Sequence, residues 1–209
     1  VKEEESEDFE EYLYVQKTII VEGIPYLSQL DQEDTKNKTG CTTGCCWSAC
    51  CWMINQTGTI INNNNRVYFA DPINVDNLAD GIITIVSEQE FNETIRYIKN
   101  QLKLGKPVLC GTWDNRSKRQ YKELGPNAWN DKLTGKNNSA TTHFVVIMGY
   151  GYDKGQDKYY FRFYDPGRTD SSQGTSENNK FYIDYNNLEI INLSYRGKIY
   201  KVTEIRKNF

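Results

Sequence analysis

Histidine is almost missing from this sequence: His143 is the only one in 209 residues. A site built from several imidazoles is therefore excluded, and any imidazole base must be this residue. No apolar run approaches the roughly 18 to 20 residues that a membrane-spanning helix needs, and no basic segment followed by an apolar stretch marks an export signal. Charge of a single sign is lacking too. With 25 Lys and Arg against 28 Asp and Glu, the net charge is −3, which gives no footprint for nucleic acid or an anionic membrane surface. Six cysteines are too few for a disulfide-dense scaffold, and five of them crowd between Cys41 and Cys51 instead of spreading as staples would. Their spacing, C-x3-C-C-x3-C-C, lacks the C-x2-C pairs of structural zinc sites, so neither metal nor cofactor is expected. A local Cys41–Cys45 disulfide is compatible with the spacing and would leave Cys46 free.

What is present is enough for one well-cored domain. Residues 1–11, VKEEESEDFEE, cannot bury apolar area and are expected to form a disordered acidic tail, leaving 12–209 as a single domain. The chain begins at Val1 and reads as a mature, trimmed or excised form, so localisation stays open beyond an expectation of secretion or delivery by a bacterial secretion system. From Tyr12 to Gln29 the residues turn β-branched and aromatic and end in IPYLSQ, an extended entry into the fold. Cys46, Ala49, Cys50, Met53 and Ile54 then recur at i, i+3, i+4, i+7 and i+8, one face of a helix ending near Gly58. Ser87 and Glu90 form a capping box for a second helix, with Phe91, Ile95, Ile98 and Leu102 on one face and Gly105 as its stop. After a long polar stretch from Asp114 to Thr142, HFVVIMGY and KYYFRFYD flank a turn at DKGQ and predict a β-hairpin. KFYID, LEIINLSY and KIYKVTEIR supply further strands. The fold class is therefore α+β, an N-terminal helical part packed on a C-terminal antiparallel sheet.

The chemistry follows from where the polar residues fall. Cys46 heads a helix, where unpaired N–H groups and the positive dipole end lower a thiol pKa from about 8.5 to about 3.5 to 7.5 and favour the nucleophilic thiolate. Gly44 permits a tight approach to the helix, and Trp47 offers an apolar wall against bulk water. Cys50 and Cys51 read as small core residues. His143 opens an apolar strand where a rigid element meets a long loop, a common place for a site. If the hairpin turns about Lys154, His143 and Asp165 lie eleven residues to either side and stand opposite each other on one face. A carboxylate there can accept from the imidazole and fix its tautomer. The alternative for Asp165 is a turn-former before Pro166-Gly167.

GCCWSA around Cys46, followed by HFVVIMGY and FYDPG, resembles the Cys-Trp-Ser/Ala signature and the Cys, His, Asp order of papain-like cysteine peptidases. In arrangement the chain from Ile24 to Gly167 is similar to compact bacterial members, those that process bacteriocin leaders and secreted papain-fold effectors. The resemblance implies a papain-like fold, peptide-bond hydrolysis through a thioester, and a Cys46–His143–Asp165 triad. It also implies that Gln29 of IPYLSQ, with the N–H of Cys46, donates to the oxyanion. Seventeen residues separate Gln29 from Cys46, more than the compact pattern has, so Gln32 stays open as that donor. The expected partner is a protein or peptide substrate. Two other readings stay open: a cysteine amidase acting on peptidoglycan peptides, and a toxin or effector domain whose partner is a cognate immunity or inhibitor protein.

Overall fold

In a computed structural model, which describes residues 18–30, 43–72, 82–114, 140–192 and 199–209, the two apolar spacings become two helices. The acidic tail, Gln32, Cys41 and most of the two polar loops lie outside the described residues. Helix α1 (Thr43–Asn55) buries Cys46, Ala49, Cys50, Met53 and Ile54, the expected face. Its end is capped locally: the Thr57 hydroxyl donates to the Ile54 carbonyl, and Gly58 takes φ +75°, a conformation that Gly adopts without steric cost. Helix α2 (Glu88–Lys103) has the complete capping box, with Ser87 Oγ accepting from Glu90 N–H and the Glu90 carboxylate accepting from Ser87 N–H. Glu88 and Glu90 in the first turn and Lys103 in the last complement the helix dipole. Phe91, Ile95, Ile98 and Leu102 are all buried, each such side chain contributing about 1.5–3 kcal/mol of transfer free energy.

The β part is more closed than the sequence implies. Strands β1 (Ile19–Ile20), β2 (Ile61–Tyr68), β3 (Ala70–Pro72) and β4 (Ile82–Thr84) come from the N-terminal half. They are followed by β5 (Val108–Asp114), β6 (His143–Asp153), β7 (Lys158–Tyr164), β8 (Lys180–Asp184), β9 (Glu189–Ile191) and β10 (Tyr200–Asn208). Antiparallel pairing runs β6–β5–β10–β9–β8–β7 and returns to β6, so six strands close into a barrel, which removes the edges an open sheet would expose. β1 adds to β6, β2 adds to β10, and β3 with β4 forms a separate ribbon. Of the β-branched run from Tyr12 to Gln29, only Ile19 and Ile20 are assigned as strand among the described residues. One continuous apolar core joins Cys50 and Met53 of α1 and Phe91 and Ile98 of α2 to the barrel residues Val145, Ile147, Phe163, Phe181 and Ile205. Helices packed on an antiparallel barrel make the chain an α+β protein.

The β6–β7 hairpin positions the site, and its register differs from the expected one. Asp153 faces Lys158 across a turn in which the Asp153 carboxylate accepts from the N–H groups of Gly155 and Gln156. The turn is thus centred beyond Lys154. The register near it, with Gly149 facing Arg162, would carry Asp165 opposite Val146 and onto the face away from His143. A bulge at Met148 corrects this. Past it Ile147 faces Phe163 and Val146 faces Tyr164, and this register carried one residue beyond the strand puts Asp165 level with Val145, two residues from His143 and on its face. The carbonyl of Met148 accepts from Val21 N–H at 2.8 Å, tying the bulge to the segment after β1.

Candidate active site

Four side chains named from the sequence meet at the head of α1. Cys46, in the helix's first turn and fully buried, places Sγ 2.9 Å from His143 Nδ1. The other ring nitrogen, His143 Nε2, is 2.7 Å from Asp165 Oδ1. Gln29 closes the group: its side-chain oxygen contacts Cys46 Sγ. An Nε2–H donated to the carboxylate leaves the Nδ1 lone pair facing the sulfur, which is the tautomer a base toward Cys46 requires.

Distant parts of the chain hold these groups in place. His143 is the first residue of β6 and pairs with Thr112 of β5, whose hydroxyl donates to the His143 carbonyl. The segment carrying Gln29 is fixed to the one carrying Asp165, since Gln29 N–H donates to the Pro166 carbonyl at 2.9 Å. The Tyr26 hydroxyl lies 2.8 Å from the Asp165 carbonyl and 2.6 Å from that of Arg168, and its ring rests on Gly174, where no Cβ would fit. Gly174 begins a second brace. Its carbonyl accepts from Asp165 N–H and from the Asn179 amide, at the end of a short helix α3 (Ser171–Gly174).

Asp165, like Cys46, is fully enclosed. Besides the imidazole, Oδ1 accepts from Gly167 N–H at 2.8 Å, while Oδ2 lies 3.4 Å from the Tyr200 hydroxyl and 3.4 Å from Arg168 Nε. Burial pushes its pKa up, but His143, the Gly167 N–H and Arg168 together outweigh that, and the carboxyl is held below its ordinary value. The Tyr200 ring stands 5.6 Å from the imidazole, centroid to centroid. Gly167 approaches so closely that a Cβ there would sit 2.9 Å from Asp165 Oδ1 and 3.1 Å from His143 Cε1.

Cys51 and Cys110 are different in kind. Burial pushes the Cys51 thiol up to about 12, against a smaller opposing pull from Arg206, and burial followed by the Glu204 charge raises that of Cys110 well above its ordinary value. Both are inert thiols at neutral pH, in keeping with a core role. Tyr26, Gly167, Arg168, Asn179 and Tyr200 were missed as site residues. Gly167, in a Pro-Gly pair, carries a local signal that reads as a turn, and Tyr26 lies within IPYLSQ, where only Gln29 drew attention.

Among the described residues no group of three or more His, Cys, Asp or Glu is placed to hold a metal ion, and no helix is long and apolar enough to cross a membrane. No protein-family model, no curated protein and no solved structure matches the chain.

Proposed function

We propose that this chain is a papain-like cysteine peptidase in which Cys46 is the nucleophile, His143 its base and Asp165 the orienting carboxylate. The observation that carries the reading is the unbroken relay from Cys46 Sγ through His143 Nδ1 and Nε2 to Asp165 Oδ1, at 2.9 and 2.7 Å. A nucleophile within hydrogen-bond reach of a base, with a third group orienting that base, is the arrangement activated acyl transfer needs. A purely structural histidine has no use for a buried thiol on one nitrogen and a buried carboxylate on the other.

His143 Nδ1 draws the Sγ proton, and the thiolate attacks the amide carbonyl. Asp165 stabilises the imidazolium without itself becoming protonated. Collapse of the tetrahedral adduct breaks the C–N bond, with the imidazolium proton going to the leaving nitrogen. Water, deprotonated by the now neutral His143, then hydrolyses the thioester. Gln29 supports the oxyanion. Once Cys46 is ionised, an amide oxygen facing it sets two acceptors together, so the amide turns and presents Nε2–H toward the sulfur and the reacting carbonyl. The N–H of Cys46 serves as second donor.

The test is hydrolysis of casein and of a mixed fluorogenic peptide library, with purified sacculi in parallel. Cleavage of peptides, abolished by Cys46→Ala, supports a peptidase. Release from sacculi alone would move the substrate to peptidoglycan, and Cys46-independent cleavage would overturn the proposal.

A further inference from the structure

Asp165 has two unequal sides. Oδ1 serves His143 and the Gly167 N–H, whereas Oδ2 faces Arg168 Nε and the Tyr200 hydroxyl. The elements packed around it contribute Cys46 from α1 beyond the imidazole, Tyr200 from β10, and Gln29 and Tyr26 from the segment after β1, the last with its hydroxyl on backbone carbonyls. Of these groups only Arg168 carries a charge that no step of the reaction can remove, because guanidinium does not deprotonate in the working range of a protein. Its side chain is largely enclosed, at 15% exposure, so water screens the pair weakly.

We propose that Arg168 is the standing counter-ion of Asp165, a positioning residue that keeps the carboxylate ionised while His143 is neutral. The inference rests on the thiol-nucleophile reading above for its place in the cycle, but not for its test. After His143 has given its proton to the leaving nitrogen, a fully buried carboxylate would lose its cationic partner, and burial alone drives such a group toward its protonated form. Having taken up a proton from solvent, Asp165 would donate to Nε2 instead of accepting from it, and the imidazole would keep its own single proton. The imidazole proton would then sit on Nδ1, the atom that must next take a proton from the attacking water. Deacylation would lose its base, while acylation, which proceeds from the Cys46 thiolate and the His143 imidazolium once that pair has formed, would be less affected. With Arg168 on Oδ2 the carboxylate stays an acceptor throughout.

The decisive experiment follows the side-chain carboxyl carbon of Asp165 by NMR in 13C-Asp-labelled protein. In His143→Ala, which imitates the cation-free half of the cycle, Asp165 is expected to remain ionised at pH 7. In His143→Ala/Arg168→Met its pKa should rise by roughly 1 to 3 units, and Arg168→Lys in the same background should restore most of the difference. An Asp165 already protonated at pH 7 in His143→Ala, a result that needs no Arg168 variant to fold, overturns the proposal. So does a titration unchanged by Arg168→Met. In the otherwise intact enzyme, Arg168→Met should let acyl-enzyme accumulate with an ester substrate, as a burst followed by a slow phase at least tenfold below wild type, and Arg168→Lys should shorten it. If the wild type forms no acyl-enzyme at all, the peptidase reading fails while the carboxyl titration still decides the role of Arg168.

Discussion

Replacing Gly167 by alanine adds one methyl group at the tightest point of the site. The new Cβ would lie 2.9 Å from Asp165 Oδ1, 3.1 Å from His143 Cε1 and 3.4 Å from His143 Nε2. Carbon and oxygen in ordinary contact need about half an ångström more than the first of these distances. The carboxylate cannot retreat freely, because Oδ2 already faces Arg168 and Tyr200 at 3.4 Å. The imidazole is confined on one side by the Tyr200 ring and on the other by Cys46. The strain must therefore open the 2.7 Å bond between Nε2 and Oδ1, since Gly167 does not adopt a left-handed conformation that alanine would resist. Overpacking of this kind costs about 1–3 kcal/mol of stability. If a 1 Å misplacement costs about 10²-fold in rate, half of that should cost roughly tenfold in kcat/KM. The same substitution at Gly155, where a Cβ meets nothing nearer than Asp153 Oδ1 at 3.4 Å, should be close to silent and serves as the control. Thermal melting and peptide hydrolysis on both variants check the argument. A Gly167→Ala enzyme with wild-type kcat/KM would show that the enclosure of the His143–Asp165 pair does not matter.

Further expectations rest on single contacts. Gln29→Ala should lower turnover about 10²- to 10³-fold while Cys46 keeps its alkylation rate; a kinetically silent change would remove Gln29 from the oxyanion role. Asp165→Asn should destabilise the fold by about 3 kcal/mol, chiefly by leaving Arg168 without its carboxylate, and should cut kcat by up to about 10⁴-fold. Chemical denaturation and steady-state kinetics separate the two effects. Because the folded-state pKa of Asp165 is lowered, its contribution to stability is fully present above its unfolded value near pH 4 and is lost as pH falls through the lower folded value. Wild type should therefore lose stability across that acidic window, and Asp165→Asn should lose less there. Tyr26→Phe should cost about 1 kcal/mol by releasing the carbonyls of Asp165 and Arg168, seen as a lower melting temperature with KM little changed.

The parts of the fold that a sequence can show are those fixed by local rules. The capping box at Ser87 and Glu90, the buried stripes of both helices and the β6–β7 hairpin all follow from spacing and turn chemistry. Strand β2 does not. INNNNRVY has little β character, and it is a strand because Val67 and Tyr68 pair with Ile205 and Glu204. Barrel closure depends on long-range pairing, which no local signal encodes. Of the candidate site, Cys46, His143, Asp165 and Gln29 are legible in the sequence, but the register that brings His143 and Asp165 together is not. The expected turn was misplaced, and His143 shares a face with Asp165 because the Met148 bulge restores the parity. The supporting groups escaped notice for a physical reason. Tyr26, Arg168 and Tyr200 belong to ordinary types and reach Asp165 from separate segments, so only folding reveals their task.

A thiol-peptidase role requires that Cys46 be a thiolate paired with His143. Iodoacetamide labelling between about pH 5 and 9, read residue by residue by peptide mapping, measures this without any substrate. Cys51, with its pKa raised to about 12, and Cys110, raised well above its ordinary value, act as internal references in the same molecule. Cys46 is predicted to label fast near pH 6 in the wild type and to lose that advantage in His143→Ala. Labelling of Cys46 that is no faster than that of Cys51 and Cys110, or that is unchanged without His143, would contradict a thiolate–imidazolium pair.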